Sequence, residues 1–193
     1  MTIYTSKYLR NLSQTKTFST KQQIINESKK VHTGFDIFLS HSFLDKEDVE
    51  GLYIELTNFG YSVYVDWIID PELDRKNVTK ATATLIRNRM KSSKSLLLAV
   101  SENAQMSKWM PWELGYVDAN TNRCAVIPVS QSVIAPNSFK GVEYLTLYPF
   151  VKKVSIVGFK DELYVIEEAR KFTTFNEWFK YGKQPEIKTF NIF

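Results

Sequence analysis

Short apolar segments alternate with longer amphipathic segments along the chain, and this alternation constrains the fold more than any other feature. Residues 34–40, 93–101 and 124–130 are apolar runs that predict buried strands. Residues 61–67 predict another strand, and residues 142–150 predict a fifth. Strands that are apolar on both faces are typical of parallel sheets covered by helices on both sides.

The segments between these strands have helical spacing. A helix is predicted after Asp45, its expected N-cap, and it ends at Gly60. Further helices are predicted over residues 79–93 and 174–182, with a broken helix over residues 102–123. The pattern predicts an α/β fold, with a flavodoxin-like open parallel five-stranded sheet and helices on both faces.

Charge divides the chain into parts. The net charge of +4 comes from residues 1–34, whose six basic side chains and one acid give +5, while the remainder carries −1. We therefore expect a solvated basic arm over residues 1–33, a domain over residues 34–150 and an extension packed on it over residues 151–193. No stripe of basic and aromatic residues follows the arm, which argues against a nucleic-acid partner.

Composition argues against several other classes of site and partner. The chain has one cysteine, Cys124, and two histidines, so neither a cysteine-based zinc site nor a histidine-rich metal site is expected. No apolar run is long enough to span a bilayer, and no secretory signal is visible. These features predict a cytoplasmic protein without a membrane partner.

Parallel sheets bind ligands beyond the carboxyl ends of their strands, where the direction of winding reverses. Glu113 follows the third predicted strand and Pro111, expected as the first helical residue. Glu113 is then either an ordinary first-turn acid or an ionised carboxylate that binds ribose and stabilises a growing positive charge. The other candidates at these strand ends are Ser40, His41, Ser42, Phe43, Asp66, Trp67 and Trp109.

Each of these candidates also has a structural interpretation. His41 is either a general base or a hydrogen-bonding residue after its strand. Asp66 either contacts a ligand hydroxyl or caps the loop, and Trp67 either stacks on a ring or packs beneath the loop. No glycine-rich phosphate loop follows the first strand.

Four segments carry a resemblance to a known family: FDIFLSHSFLDKEDV, GYSVYVDW, SKSLLLAVS and SKWMPWELGY. Over about residues 34–150 the chain resembles Toll/interleukin-1 receptor (TIR) domains, particularly bacterial members such as those of the Thoeris antiphage system. The resemblance implies cleavage of the nicotinamide–ribose bond of NAD+, with Glu113 as the catalytic residue and Trp109 lining the pocket. It also places Ser40, His41, Ser42 and Phe43 at the nucleotide site, while Asp66 and Trp67 match the end of the second strand.

The same resemblance implies the partners. NAD+ is a substrate, so no separate cofactor is expected, and the product is an ADP-ribose-derived, cyclic signal for antiphage defence. Self-association through TIR–TIR contacts and a phage-derived trigger are the other expected partners.

Two alternatives remain open at this point. A non-catalytic TIR module would use the loop after the second strand for assembly, although that loop lacks the Pro-Gly pair of many receptor members. The segment ELGYVDANTNRCAVIPV is similar to nucleoside deoxyribosyltransferases, whose glutamate attacks a sugar–base bond.

Overall fold

The structure is a computed structural model that describes residues 4–15, 34–73, 79–131 and 143–188. Its strands form one sheet in the order β3-β2-β4-β5-β6-β7-β8-β9, and β1 also pairs with β5. The strands are β1 (Tyr4–Thr5), β2 (Phe35–Ser40), β3 (Val63–Tyr64), β4 (Ser93–Val100), β5 (Cys124–Ser130), β6 (Phe150–Val154), β7 (Glu162–Glu168), β8 (Lys171–Thr174) and β9 (Glu186–Ile187).

Helices cover both faces of this sheet. They are α1 (Ser6–Thr15), α2 (Lys46–Asn58), α3 (Asp66–Ile69), α4 (Lys80–Lys91), α5 (Met110–Thr121) and α6 (Phe175–Tyr181), with 3₁₀ turns at Phe43–Asp45, Ala104–Met106 and Glu143–Leu147. Within the part of the chain that the structure describes, no helix is long and apolar enough to cross a bilayer.

Strands β3, β2, β4, β5 and β6 are all parallel, and their order confirms the predicted flavodoxin-like arrangement. The central strands are covered on both faces, as β4 illustrates: Leu96, Leu97 and Leu98 are consecutive and all fully buried. Winding reverses at β2, which has β3 on one side and β4 on the other. Crevices at the carboxyl ends of β2 and β4 are therefore where a ligand is expected.

Two predicted strands differ from the structure. The predicted fifth strand, over residues 142–150, is wrong because residues 143–147 form a 3₁₀ turn, in which Leu145 is buried while Tyr144 and Leu147 face solvent. The strand begins only at Phe150, after Pro149. Since β6 runs to Val154, the parallel sheet continues past the domain boundary predicted at residue 150.

The second strand is shorter than predicted, because the chain turns into helix directly after it. Val65 is the N-cap of α3, and its carbonyl accepts hydrogen bonds from the N–H groups of Ile68 and Ile69 at 3.1 and 3.0 Å. Asp66 and Trp67 therefore lie in the first turn of a helix rather than at the end of a strand. They still follow the carboxyl end of β3.

The first part of the expected basic arm is not solvated. Strand β1 pairs in parallel with the end of β5, with Tyr4 opposite Val129. Helix α1 packs on α2, and its Leu9 is fully buried. Arg10 donates a hydrogen bond to Asp48 of α2 at 2.7 Å. Residues 16–33 of the expected arm lie outside the described residues.

Beyond β6 the sheet continues with antiparallel strands and a terminal helix. Thr174 caps the N-terminus of α6 through the N–H of Glu177, and Gly182 ends the helix in a left-handed conformation. The rings of Phe175 and Phe179 pack edge-on against Tyr61, at 4.9 and 5.5 Å between centroids. The extension therefore contacts the loop that leads into β3.

Candidate active site

A cavity of about 990 Å³ lies at the carboxyl ends of the central strands, at the upper end of the size range of ligand pockets. Five parts of the chain line it: the turn after β2, the start of α3, Leu73 in the loop after α3, one face of α4, and the segment that leads into and begins α5. Six of the predicted site residues are among the lining residues: His41, Ser42, Phe43, Asp66, Trp67 and Trp109.

Ser40 and Glu113, the other two predicted residues, lie together behind this lining. The Ser40 hydroxyl donates a 2.6 Å hydrogen bond to Oε2 of Glu113, a length typical of a hydroxyl bound to a charged carboxylate. Both residues are 0% exposed. The fold thus brings the end of β2 to the first turn of α5, but a ligand in the cavity reaches Glu113 only if the lining moves.

The start of α5 differs by one residue from the prediction. Met110 is the first helical residue, and its N–H donates a hydrogen bond to the Ser107 hydroxyl at 3.3 Å. Pro111 is consequently the second residue and Glu113 the fourth. The N–H of Glu113 already donates to the carbonyl of Trp109 at 2.9 Å.

His41 and Asp66 pair across the cavity wall, and both are buried. A carbonyl can only accept, so the 2.9 Å contact between His41 Nδ1 and the oxygen of Leu39 requires a proton on Nδ1. Nε2 then faces Oδ1 of Asp66 at 3.4 Å, where a second proton creates an ion pair. The contact with Leu39 favours the interpretation of His41 as a hydrogen-bonding residue after its strand.

Aromatic rings form much of the cavity wall. Trp109 and Trp112 meet edge to face, with 5.5 Å between ring centroids. Trp67 lies on another part of the lining, and the ammonium group of Lys46 sits 4.6 Å from its ring centroid. Phe43, at the rim, is 57% exposed. Such walls suit a flat ring that stacks or packs edge-on.

The Asp45 carboxylate holds the rim of the cavity in place, although the sequence predicts it to cap α2. Asp45 occupies the N-cap position of α2, but its carboxylate makes no capping hydrogen bond. It instead accepts hydrogen bonds from the Ser101 hydroxyl and, at 2.7 Å, from the Asn103 amide. The turn after β2 is thereby tied to the turn after β4, next to the switch point.

Comparison with known proteins assigns the family. The family model described as "TIR domain" matches residues 37–154, which is more than half of the chain. The chain belongs to the TIR domain family. The match spans every predicted site residue and ends with strand β6.

Two curated relatives share sequence with this TIR domain. One, from Bacillus cereus (strain MSX-D12), is named "Probable 3' cyclic ADP-D-ribose synthase ThsB'" and is 47% identical over 145 residues, 75% of each chain. The other, "Putative cyclic ADP-D-ribose synthase TIR2" from Cytobacillus dafuensis, is 30% identical over 91 residues, which are 47% of this chain and 23% of that protein.

Among solved structures, the TIR domain of the Toll-related receptor TRR-2 from Hydra magnipapillata is similar with a TM-score of 0.42 and 16% identity. The alignment covers 60% of this chain and 83% of that one.

Several lining residues of this TIR domain were not among the predicted site residues, and Arg87, Lys108 and Trp112 are the three with charged or large aromatic side chains. Lys108 and Trp112 flank Trp109 in a motif that was recognised, so their proximity to the site was readable. The sequence around Arg87 contains no recognised motif, and only the placement of α4 in the fold brings this side chain to the cavity. The described residues contain no cluster of three or more histidine, cysteine or acidic side chains that could hold a metal ion.

Proposed function

We propose that this TIR domain cleaves NAD+ between nicotinamide and ribose and joins the ADP-ribosyl group to itself, making a cyclic ADP-ribose signal in antiphage defence. The observation that carries the proposal is the Ser40–Glu113 pair behind an aromatic cavity at the switch point of the sheet. The curated relative at 47% identity, named as a cyclic ADP-ribose synthase, supports the same product class.

Cleavage of the nicotinamide–ribose bond does not require a general acid. Nicotinamide is cationic on its ribose, so the C1′–N bond breaks with its electron pair going to a ring that leaves neutral. The protein must orient the ribose and stabilise the positive charge that grows on C1′. The Glu113 carboxylate performs both tasks by accepting hydrogen bonds from ribose hydroxyls and by its charge, while Ser40 holds the carboxylate in place.

Ring closure follows when a nucleophile of the same molecule captures C1′. A hydroxyl oxygen or a ring nitrogen forms the new bond, and an attacking hydroxyl releases its proton to solvent. The walls around Trp67, Trp109 and Trp112 reduce the access of competing water, since they offer few hydrogen-bonding groups. Capture by water instead gives linear ADP-ribose.

The buried position of Glu113 implies a step before catalysis. Because this side chain is 0% exposed, part of the lining must move before a ribose can reach it. Self-association of TIR domains, promoted by a phage-derived trigger, would supply the free energy for that opening. We place this reaction in the cytoplasm, where NAD+ is available.

Nicotinamide release from NAD+ tests the proposal directly. Purified protein, concentrated enough to self-associate, is incubated with NAD+, either alone or with lysate of phage-infected cells. The products are separated by chromatography, and mass spectrometry measures their molecular masses. We expect nicotinamide and a nucleotide lighter than ADP-ribose by one water molecule. Glu113→Gln should lower the rate at least about a thousandfold, since it removes the charge that stabilises the transition state.

The matched control is Glu102→Gln, the same chemical change at an exposed glutamate in the turn after β4, which should keep full activity. Equal loss in both variants, or no nicotinamide in either condition, contradicts the proposal and favours an assembly module. Base exchange between deoxynucleosides, followed in a parallel incubation, would support transferase chemistry instead.

A further inference from the structure

Arg87 places a positive charge on the cavity wall. It lies in α4, half-buried, on the face that lines the cavity. Arg89, two residues further along, is neutralised by Asp70 through two hydrogen bonds of 2.8 and 2.6 Å. Among the residues that the structure describes, no carboxylate pairs with the Arg87 guanidinium. Its donors are therefore available to an anionic ligand.

Lys108 adds a second cation to the same cavity from a different part of the chain. It is exposed and immediately precedes Trp109, in the segment that leads into α5. Asp66, the one carboxylate among the described lining residues, faces His41 at 3.4 Å. The lining thus combines two basic side chains with one carboxylate, which makes it suited to an anion.

The two basic side chains suit a phosphate group, which offers several charged oxygens to them at once. A guanidinium binds two phosphate oxygens at once through its planar fork, and a lysine ammonium complements it as a mobile point charge. The rings of Trp67, Trp109 and Trp112 line the same cavity and suit flat rings. A ligand with rings at its ends and a diphosphate between them matches this distribution.

We propose that Arg87, assisted by Lys108, binds the diphosphate of NAD+ and makes the site select a dinucleotide over nicotinamide riboside. This inference rests on the proposed function and names the residues that hold the non-reacting part of its substrate. Both substrates contain the bond that breaks, but the riboside lacks the diphosphate. Binding energy from the diphosphate positions the ribose and helps to offset the cost of opening the lining above Glu113.

Tryptophan fluorescence provides a binding test that does not depend on catalysis, because three of the four tryptophans line the cavity. The full chain is titrated with ADP-ribose and, separately, with nicotinamide riboside. We expect Arg87→Ala to weaken ADP-ribose binding about ten- to a hundredfold and to leave riboside binding within about twofold. Arg87→Lys should recover part of the affinity, since it keeps the charge but not the fork.

The matched control is Lys91→Ala, which removes an exposed cation from the last residue of the same helix and should leave both titrations unchanged. In turnover assays, Arg87→Ala should raise KM for NAD+ and leave cleavage of the riboside unaffected. Equal ADP-ribose affinity in Arg87→Ala and the wild type overturns the inference, as does equal weakening in Lys91→Ala or no ADP-ribose binding by the wild type.

The two proposals fail in different ways. ADP-ribose binding that depends on Arg87, without nicotinamide release under any condition, supports the diphosphate site and refutes NAD+ cleavage. Nicotinamide release that depends on Glu113, together with ADP-ribose binding that does not depend on Arg87, supports NAD+ cleavage and refutes the diphosphate site.

Discussion

Ser40 and Glu113 are separated by 73 positions in the chain, yet their side chains share a buried 2.6 Å hydrogen bond. A buried carboxylate requires hydrogen-bond donors, because water no longer solvates its charge. The Ser40 hydroxyl meets part of this need and also limits the rotation of the Glu113 side chain. In the proposed reaction Ser40 is therefore a positioning residue, which acts on the substrate through Glu113.

We expect Ser40→Ala to lower kcat for NAD+ about ten- to a hundredfold, the loss that corresponds to one hydrogen bond to a charged group. KM should change little, because the substrate keeps its contacts in the cavity. Steady-state nicotinamide release measures both constants. Ser40→Thr retains the hydroxyl on a residue suited to a strand and should recover most of kcat. A fall in thermal stability without a selective fall in kcat would contradict the positioning role.

At the scale of elements, α1 lies unusually close to α2. A Cβ added at Gly51 would lie 2.3 Å from the backbone oxygen of Leu9 and 2.6 Å from its carbonyl carbon. Glycine is therefore required at this crossing for packing rather than for a special backbone angle. The close approach also brings Arg10 to Asp48 and the Tyr8 hydroxyl to Glu55, at 2.9 Å. These contacts make the N-terminal segment part of the domain.

We predict that Gly51→Ala pushes α1 away and lowers the free energy of unfolding by about 1–3 kcal/mol, since the new methyl meets rigid backbone. Hydrogen exchange over residues 4–15, read by mass spectrometry, should accelerate, and urea unfolding gives the stability. Gly115→Ala is the control, because nothing lies within 4 Å of its added Cβ and alanine favours a helix. Unchanged exchange in Gly51→Ala would show that α1 docks without this contact.

At the scale of the whole molecule, a partly buried polar network joins the N-terminal segment to the sheet extension. Lys153 of β6 contacts Glu55 of α2 at 2.8 Å and the Tyr8 hydroxyl of α1 at 2.8 Å. Burial, with the nearby Glu55 carboxylate, raises the pKa of Tyr4 far above its usual range. Burial likewise raises the pKa of the Cys124 thiol well above its usual range, with a further contribution from Asp118.

A raised pKa in the folded state means that the unfolded chain loses its proton first as the pH rises. Below the unfolded pKa values, about 8.5 for cysteine and 10 for tyrosine, both groups are protonated in both states and their stabilising contribution is complete. Above these values the unfolded state binds fewer protons, so alkali favours unfolding. Each such group lowers the free energy of unfolding by about 1.4 kcal/mol per pH unit in this window.

We therefore expect the urea midpoint to be insensitive to Tyr4 and Cys124 between about pH 6 and 8 and to fall steeply above about pH 9–10. Urea unfolding followed by circular dichroism at a series of pH values measures this fall. Tyr4→Phe should make the slope above pH about 10 shallower, and Cys124→Ala the slope above pH about 8.5. Identical slopes in the wild type and both variants would contradict the assignment to these groups.

Much of the fold was readable from the sequence, because strand and helix patterns are local. Three of the five predicted strands and the helix after Asp45 lie where the apolar pattern put them. The fifth strand was misplaced because a 3₁₀ turn with one buried leucine resembles a short apolar strand. Tyr4–Thr15 was mistaken for a solvated arm because its basic residues outweighed Leu9 in the charge pattern.

Sequence alone determined that this chain forms a parallel sheet and that its TIR motifs lie at the carboxyl ends of the strands, since both depend on local periodicity and chain order. Tertiary structure decided that Glu113 is buried against Ser40 rather than open to the cavity, and that Arg87 rather than Arg89 lines the wall. The physical reason is that burial and pairing depend on how closely distant backbones approach, and a difference of about one ångström decides between a hydrogen bond and none.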